Sequence, residues 1–141
     1  MTLLLLFICQ FPISQFADPT ARLKIEIAGL EHSKGQILVS IFKDAESFPR
    51  KPEKAYLNLT LKIANLSCQT EIDIPPGTYA ISVVHDENGN NQVDTNWLGI
   101  PNEPLGLSNS SGKGRPDFEK AKFTIVAGEV LKLVIPVDTI F

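Results

Sequence analysis

Apolar residues recur at every second position in several short runs of this chain. From Arg22 to Ala28, Leu23, Ile25 and Ile27 alternate with Lys24 and Glu26, the signature of a half-buried strand. Gln36 to Phe42 repeats the pattern with Ile37, Val39 and Ile41. Leu38 and Phe42 make its second face partly apolar too, which predicts a central place in a sheet. Tyr56 to Ile63 alternates strictly, with Leu57, Leu59, Leu61 and Ile63 inward. Cys68 to Ile74 and Thr78 to His85 continue the series, the latter with Tyr79, Ile81 and Val83 on one face. Phe118 to Val126 and Glu129 to Val137 complete it. Turn signals separate the runs: Gly29 to Gly35, Asn65 to Ser67, Pro75-Pro76-Gly77 and Gly128. One helical turn fits at Asp44-Ala45-Glu46, with Pro49 and Pro52 limiting its length. Seven alternating strands without a long helix predict an all-β fold: a single antiparallel β-sandwich of immunoglobulin-like or transthyretin-like type.

The alternation stops at residue 86 and resumes at 118. Loops of this length without their own periodicity are usually functional or disordered. Trp97, Leu98, Ile100, Leu105 and Leu107 give the segment an apolar content that argues for order. Its first half carries side-chain oxygens at alternate positions: Asp86, Asn88, Asn90, Gln92 and Asp94. A calcium loop places ligands at positions 1, 3, 5, 7 and 9, with position 7 giving its backbone carbonyl. Counted from Asp86, Gln92 is that donor and Asp94 is position 9. Asn91 stands where the pattern has Gly, and Asn tolerates a left-handed backbone better than most residues. Trp97 stands at position 12, where a bidentate Glu closes the pattern, so the site is weak or borrows a ligand. The competing reading is an Asn/Asp/Gly turn bonded to its own backbone.

Length, at 141 residues, allows one domain with a single core. The formal charge of −3 and the lack of a basic cluster exclude a nucleic-acid partner as an expectation. The run Leu3-Leu4-Leu5-Leu6-Phe7-Ile8 is too short to span a bilayer as a helix. It reads as the apolar part of a secretory signal over residues 1–17, with a domain over residues 18–141 and no transmembrane segment after cleavage. Cys9 would leave with that signal, so Cys68 has no partner for an internal disulfide and reads as a small buried hydrophobe.

Three functional classes compete for the long loop. In the first, calcium orders it and it presents Trp97 to an envelope protein or a glycan. Trp97 could stack on a sugar ring, or instead plug the loop onto the sheets. In the second, a hydrolase uses His85 as base beside the loop carboxylates, with Glu87 and Glu103 as an acid pair. His85 shares parity with Tyr79, Ile81 and Val83, so it also reads as a strand-end residue bonded to the loop. In the third, the chain is a structural subunit that assembles along a sheet edge. His32, with no acidic or thiol neighbour in sequence, reads as surface.

Leu98-Gly99-Ile100-Pro101-Asn102-Glu103-Pro104-Leu105-Gly106-Leu107-Ser108-Asn109, with Pro76-Gly77-Thr78-Tyr79-Ala80 and His85-Asp86-Glu87-Asn88-Gly89-Asn90 before it, resembles a bacterial family, domain of unknown function 2141. Arg115-Pro116-Asp117-Phe118-Glu119-Lys120-Ala121 resembles its Pro-x-Phe-x-x-Ala segment. The resemblance covers roughly Leu23 to Val137. It implies a small β-sandwich exported to the periplasm, outer envelope or exterior, and no particular activity. More distantly, Ile74 to Val83 is similar to the last hairpin of transthyretin-like and carboxypeptidase-regulatory-like sandwiches.

Overall fold

A computed structural model describes residues 17–110 and 114–139. The expected signal segment and Cys9 lie outside the described residues, apart from the exposed Ala17. The strands are β1 (Ala21–Ala28), β2 (Gln36–Phe42), β3 (Leu57–Lys62), β4 (Cys68–Ile74), β5 (Gly77–Asp86), β6 (Leu105–Leu107), β7 (Phe123–Ile125) and β8 (Val130–Pro136). They form two sheets. One has the order β4-β1-β8; the other runs β3-β2-β5-β6, with β7 also paired to β5.

Alternation places the core. Leu23, Ile25 and Ile27 of β1 and Ile74 of β4 pack in one cluster with Ile37, Val39 and Ile41 of β2 and Tyr79, Ile81 and Val83 of β5. Fully burying an aliphatic side chain of this size contributes about 1.5–3 kcal/mol. Cys68 lies in the same cluster as a free, buried thiol, and burial pushes its pKa up. β2 lies between β3 and β5, as its two apolar faces predict. Its outer face is covered by a smaller cluster of Phe42, Phe48, Ala80 and Ala121, with Phe118 packed against it.

Four expectations need correction. β1 and β8 pair in parallel, so the strands are not all antiparallel. Alternation records which face a residue occupies and carries no information on strand direction. There are eight strands among the described residues, because the long segment contains β6, paired to β5 at Val83↔Gly106. The run from Phe118 to Val126 divides. Residues Phe118–Ala121 form a single helical turn, α1, and only Phe123–Ile125 is strand. Asp117 caps that turn by accepting the N–H of Glu119 at 2.9 Å. Asp44 to Glu46 is a turn rather than a helix, with Asp44 accepting the N–H of Ser47 at 2.9 Å, and the 3-10 turn lies later, at Pro52–Lys54.

Two glycines fix how the long segment sits. A Cβ at Gly106 would meet the carbonyl oxygen of Pro136 at 2.4 Å, so only glycine lets β6 approach β8. Leu105 and Asp138 exchange backbone hydrogen bonds at 2.9 and 3.0 Å beside that contact. Gly35, at φ +72°, packs its backbone on the last residue of β5; a Cβ there would sit 2.0 Å from the carbonyl oxygen of Asp86. The β1–β2 turn is thereby pressed against the start of the long loop.

Candidate functional site

The loop begins where β5 ends, and Asp86 makes the exit. It is fully buried, and its carboxylate accepts four N–H donors. Oδ1 takes the backbone N–H of Gly89 at 3.0 Å and of Asn90 at 3.2 Å. Oδ2 takes Asn91 N–H and the side-chain amide of Gln36, both at 2.8 Å. Burial alone would raise its pKa, but these hydrogen bonds outweigh it and hold the carboxyl below its ordinary value. Asn91 has φ +62°, so it adopts the left-handed conformation that the Gly of the calcium pattern would supply. Gln36 also donates to Asn91 Oδ1 at 2.7 Å, fastening the curl to the start of β2.

Two more candidate calcium ligands, Asn88 and Asn90, meet at Asp94. The side-chain amide of Asn90 donates to Asp94 Oδ1 at 2.8 Å, and that of Asn88 donates to Oδ2. The side-chain oxygens of Asn88 and Asn90 accept backbone N–H groups at Asn90 and Gln92, at 3.1 and 2.9 Å. Asp86, Asn88, Asn90 and Asp94 therefore form one self-bonded turn. An ion entering it would displace the two amide NH2 groups from Asp94. Asp86 would remain occupied by N–H groups and act by shaping the loop.

Glu103, the expected acid partner of Glu87, turns its carboxylate to the backbone. It is buried, and its two oxygens accept the backbone N–H groups of Glu87 and Asp94, each at 3.1 Å. Its carboxyl is pushed up mainly by burial, against the lowering effect of those two hydrogen bonds. One side chain thus spans the curl and joins its first and last turns.

Beyond Asp94 the chain makes a small hairpin. Asn102 N–H bonds the carbonyl of Asp94 at 2.8 Å, and Asn96 N–H bonds that of Ile100 at 2.9 Å. Asn96 Oδ1 accepts Leu98 and Ile100 N–H at 2.9 and 3.0 Å, which tightens the tip. Trp97 stands on that tip and is 91% exposed, so it does not plug the loop onto the sheets. Leu98 and Ile100 of the same hairpin are exposed too, as is Val93 just before it.

His85 is buried at the inward end of β5, and its Nε2 faces the carbonyl of Lys34 at 2.8 Å. Its ring thus bonds the β1–β2 turn, while its backbone N–H bonds the carbonyl of Pro104 in the long loop at 2.9 Å, as its strand-end position predicts. His32 is not plain surface. It is half-buried, its ring centroid lies 4.9 Å from that of His85, and its Nε2 lies 2.9 Å from Glu87 Oε1. Sequence spacing hides this group, because His32 and Glu87 are 55 residues apart. The register Gln36↔Asp86 brings them together.

Among the described residues no helix is long and apolar enough to cross a membrane. A family profile matches residues 25–132; its description is "Uncharacterized protein conserved in bacteria". No curated protein matches the chain. A solved structure, a leucine-rich repeat protein from Bacteroides thetaiotaomicron, superposes over 85% of this chain at a TM-score of 0.40 and 15% identity. This chain corresponds to 12% of that protein's length.

Proposed function

The chain belongs to this bacterial family, domain of unknown function 2141, and on that premise we propose that it is a non-catalytic, exported envelope module that binds a partner protein through the tip of its long loop. The observation that carries the reading is the 91% exposure of Trp97 on a hairpin held by its own hydrogen bonds. A rigid aromatic presented this way loses little conformational entropy on docking, and Trp is enriched among residues that dominate binding. The exposed aliphatic Leu98 and Ile100 of the same hairpin favour a protein surface over a glycan.

Export rests on the apolar run Leu3 to Ile8, read as a secretory signal. The two sheets share one core and are read as a sandwich of transthyretin-like type. Calcium enters as a stiffener. Bound at Asn88, Asn90 and Asp94, with the carbonyl of Gln92, it would lock the base of the hairpin without touching the tip.

Trp97 is the chain's one tryptophan, so its fluorescence reports on the tip alone. The full chain would be titrated with solubilised envelope proteins, with purified envelope glycan, and with calcium. A blue shift with the protein fraction, lost in Trp97→Ala pull-downs that retain the rest of the fold, supports the reading. A shift with glycan only moves the assignment to carbohydrate binding, and no shift with any of them overturns it. Calorimetry with calcium on wild type and Asp94→Ala tests the stiffener separately.

A further inference from the structure

We propose that His32, His85 and Glu87 form a binding site for a divalent transition metal of the zinc type, separate from the Asp/Asn curl. Each of the three offers one ligand atom, and these atoms all lie within 4.8 Å of one another. Two imidazoles and a carboxylate suit zinc and its first-row neighbours, whereas calcium takes six to eight oxygens.

The hydrogen bonds assign the lone pairs. A carbonyl oxygen only accepts, so the 2.8 Å contact with Lys34 places the proton of neutral His85 on Nε2 and leaves a lone pair on Nδ1. An imidazole whose other N–H is held by a backbone carbonyl is the usual arrangement of a metal-ligating histidine. In His32 the roles reverse. Its Nδ1 accepts the backbone N–H of Lys34 at 3.3 Å, so its proton sits on Nε2 and points to Glu87 Oε1 at 2.9 Å. That proton lies between two atoms that a divalent cation would join. To bind metal through Nε2, neutral His32 moves its ring proton to Nδ1 and gives up the long bond from Lys34 N–H. The Lys34 carbonyl orients His85, and the tight packing of Gly35 on Asp86 holds Lys34 in place.

A tetrahedral zinc ion with bonds of about 2.0–2.1 Å sets its ligands roughly 3.3 Å apart. His85 is fixed within β5. His32 and Glu87 are partly exposed and can close the remaining distance by side-chain rotation. Three protein ligands leave a fourth position for water or for a partner's side chain. Glu31 and Asp138 line the shallow hollow beside His85 and Glu87 and make the approach acidic.

The test uses the full chain, stripped of metal, and Zn2+ or Co2+ as the probe. The chain has two histidines, so ring 15N–1H spectra report on each separately. One equivalent of metal is expected to bind, to move the Nε2 signal of His32 and the Nδ1 signal of His85, and to give the absorption of four-coordinate Co2+. His32→Ala and Glu87→Gln each lose at least roughly tenfold in affinity. Asp94→Ala binds zinc as wild type does. Unmoved ring signals, absence of binding, or unchanged affinity in His32→Ala overturns the site. Loss of zinc binding in Asp94→Ala also overturns it, because the ion would then belong to the curl.

Discussion

Glu103 accepts the backbone N–H of Glu87 at 3.1 Å, across sixteen residues of irregular chain. Its second oxygen accepts Asp94 N–H at the same distance, so neither carboxylate oxygen is idle. Glu103→Gln replaces one acceptor with an NH2 that faces an N–H donor. The cost should be about 1–3 kcal/mol, the usual penalty for a buried donor left unpaired. Thermal unfolding at neutral pH measures it. Hydrogen exchange should show faster exchange at Glu87 or Asp94 and little change in β1.

Acid should act on this loop in two opposed steps. Glu103 has its pKa raised by burial, so the folded chain binds that proton more tightly than the unfolded chain. Its contribution favours the fold below the raised pKa and is lost as pH rises through it. Asp86 is depressed, so its contribution is full above the unfolded value of about 3.9 and is lost as pH falls through the folded value. Asp44, lowered first by the Ser47 backbone N–H, acts in the same direction as Asp86. Urea midpoints measured from neutral pH downward should rise slightly, then fall below about pH 4. Glu103→Gln should remove the rise, and Asp86→Asn should shrink the fall.

Gly106→Ala should destabilise the chain by about 1–3 kcal/mol, the range for overpacking a close contact. The added methyl would lie 2.4 Å from Pro136 O and 2.9 Å from Ile135 Cγ2. Gly89→Ala supplies the contrast, since nothing lies within 4 Å of a Cβ there and its cost comes only from its φ of +71°. Chemical denaturation of the two variants separates crowding from backbone strain.

Trp97→Ala should leave stability within about 0.5 kcal/mol of wild type, as expected for a surface substitution. The indole of the free protein should emit as a solvent-exposed tryptophan and be quenched readily by iodide. A blue-shifted, protected emission would show that the tip is already covered in the free chain.

Much of this fold was legible because its strands bury one face. Cys68–Ile74 has the predicted bounds, and the strands around 21–28, 57–62, 77–86 and 130–136 differ by only a residue or two at their ends. β6 was not legible. Three residues cannot show a period, and Leu105-Gly106-Leu107 is strand only because β5 lies on one side and Asp138 on the other. The direction of β8 was hidden for a related reason, since its parallel neighbour β1 lies about a hundred residues away. At the site, the Asp/Asn run marked the curl, and Asn91 met the left-handed requirement placed on it. The roles of Gln36 and His32 were invisible, because both depend on the β2–β5 register rather than on neighbours in sequence.

The reciprocal bonds between Leu105 and Asp138 have a mechanical side. They fasten the returning leg of the loop to the residues just past β8, so tension on the C-terminal end reaches the hairpin base through Leu105, Pro104 and Glu103. The loop therefore cannot peel away as an independent flap while the last strand stays seated. Trimming the chain before Asp138 would release that latch. The returning leg would then hang on β5 and Glu103, and a partner that had met a fixed tryptophan would meet a looser one.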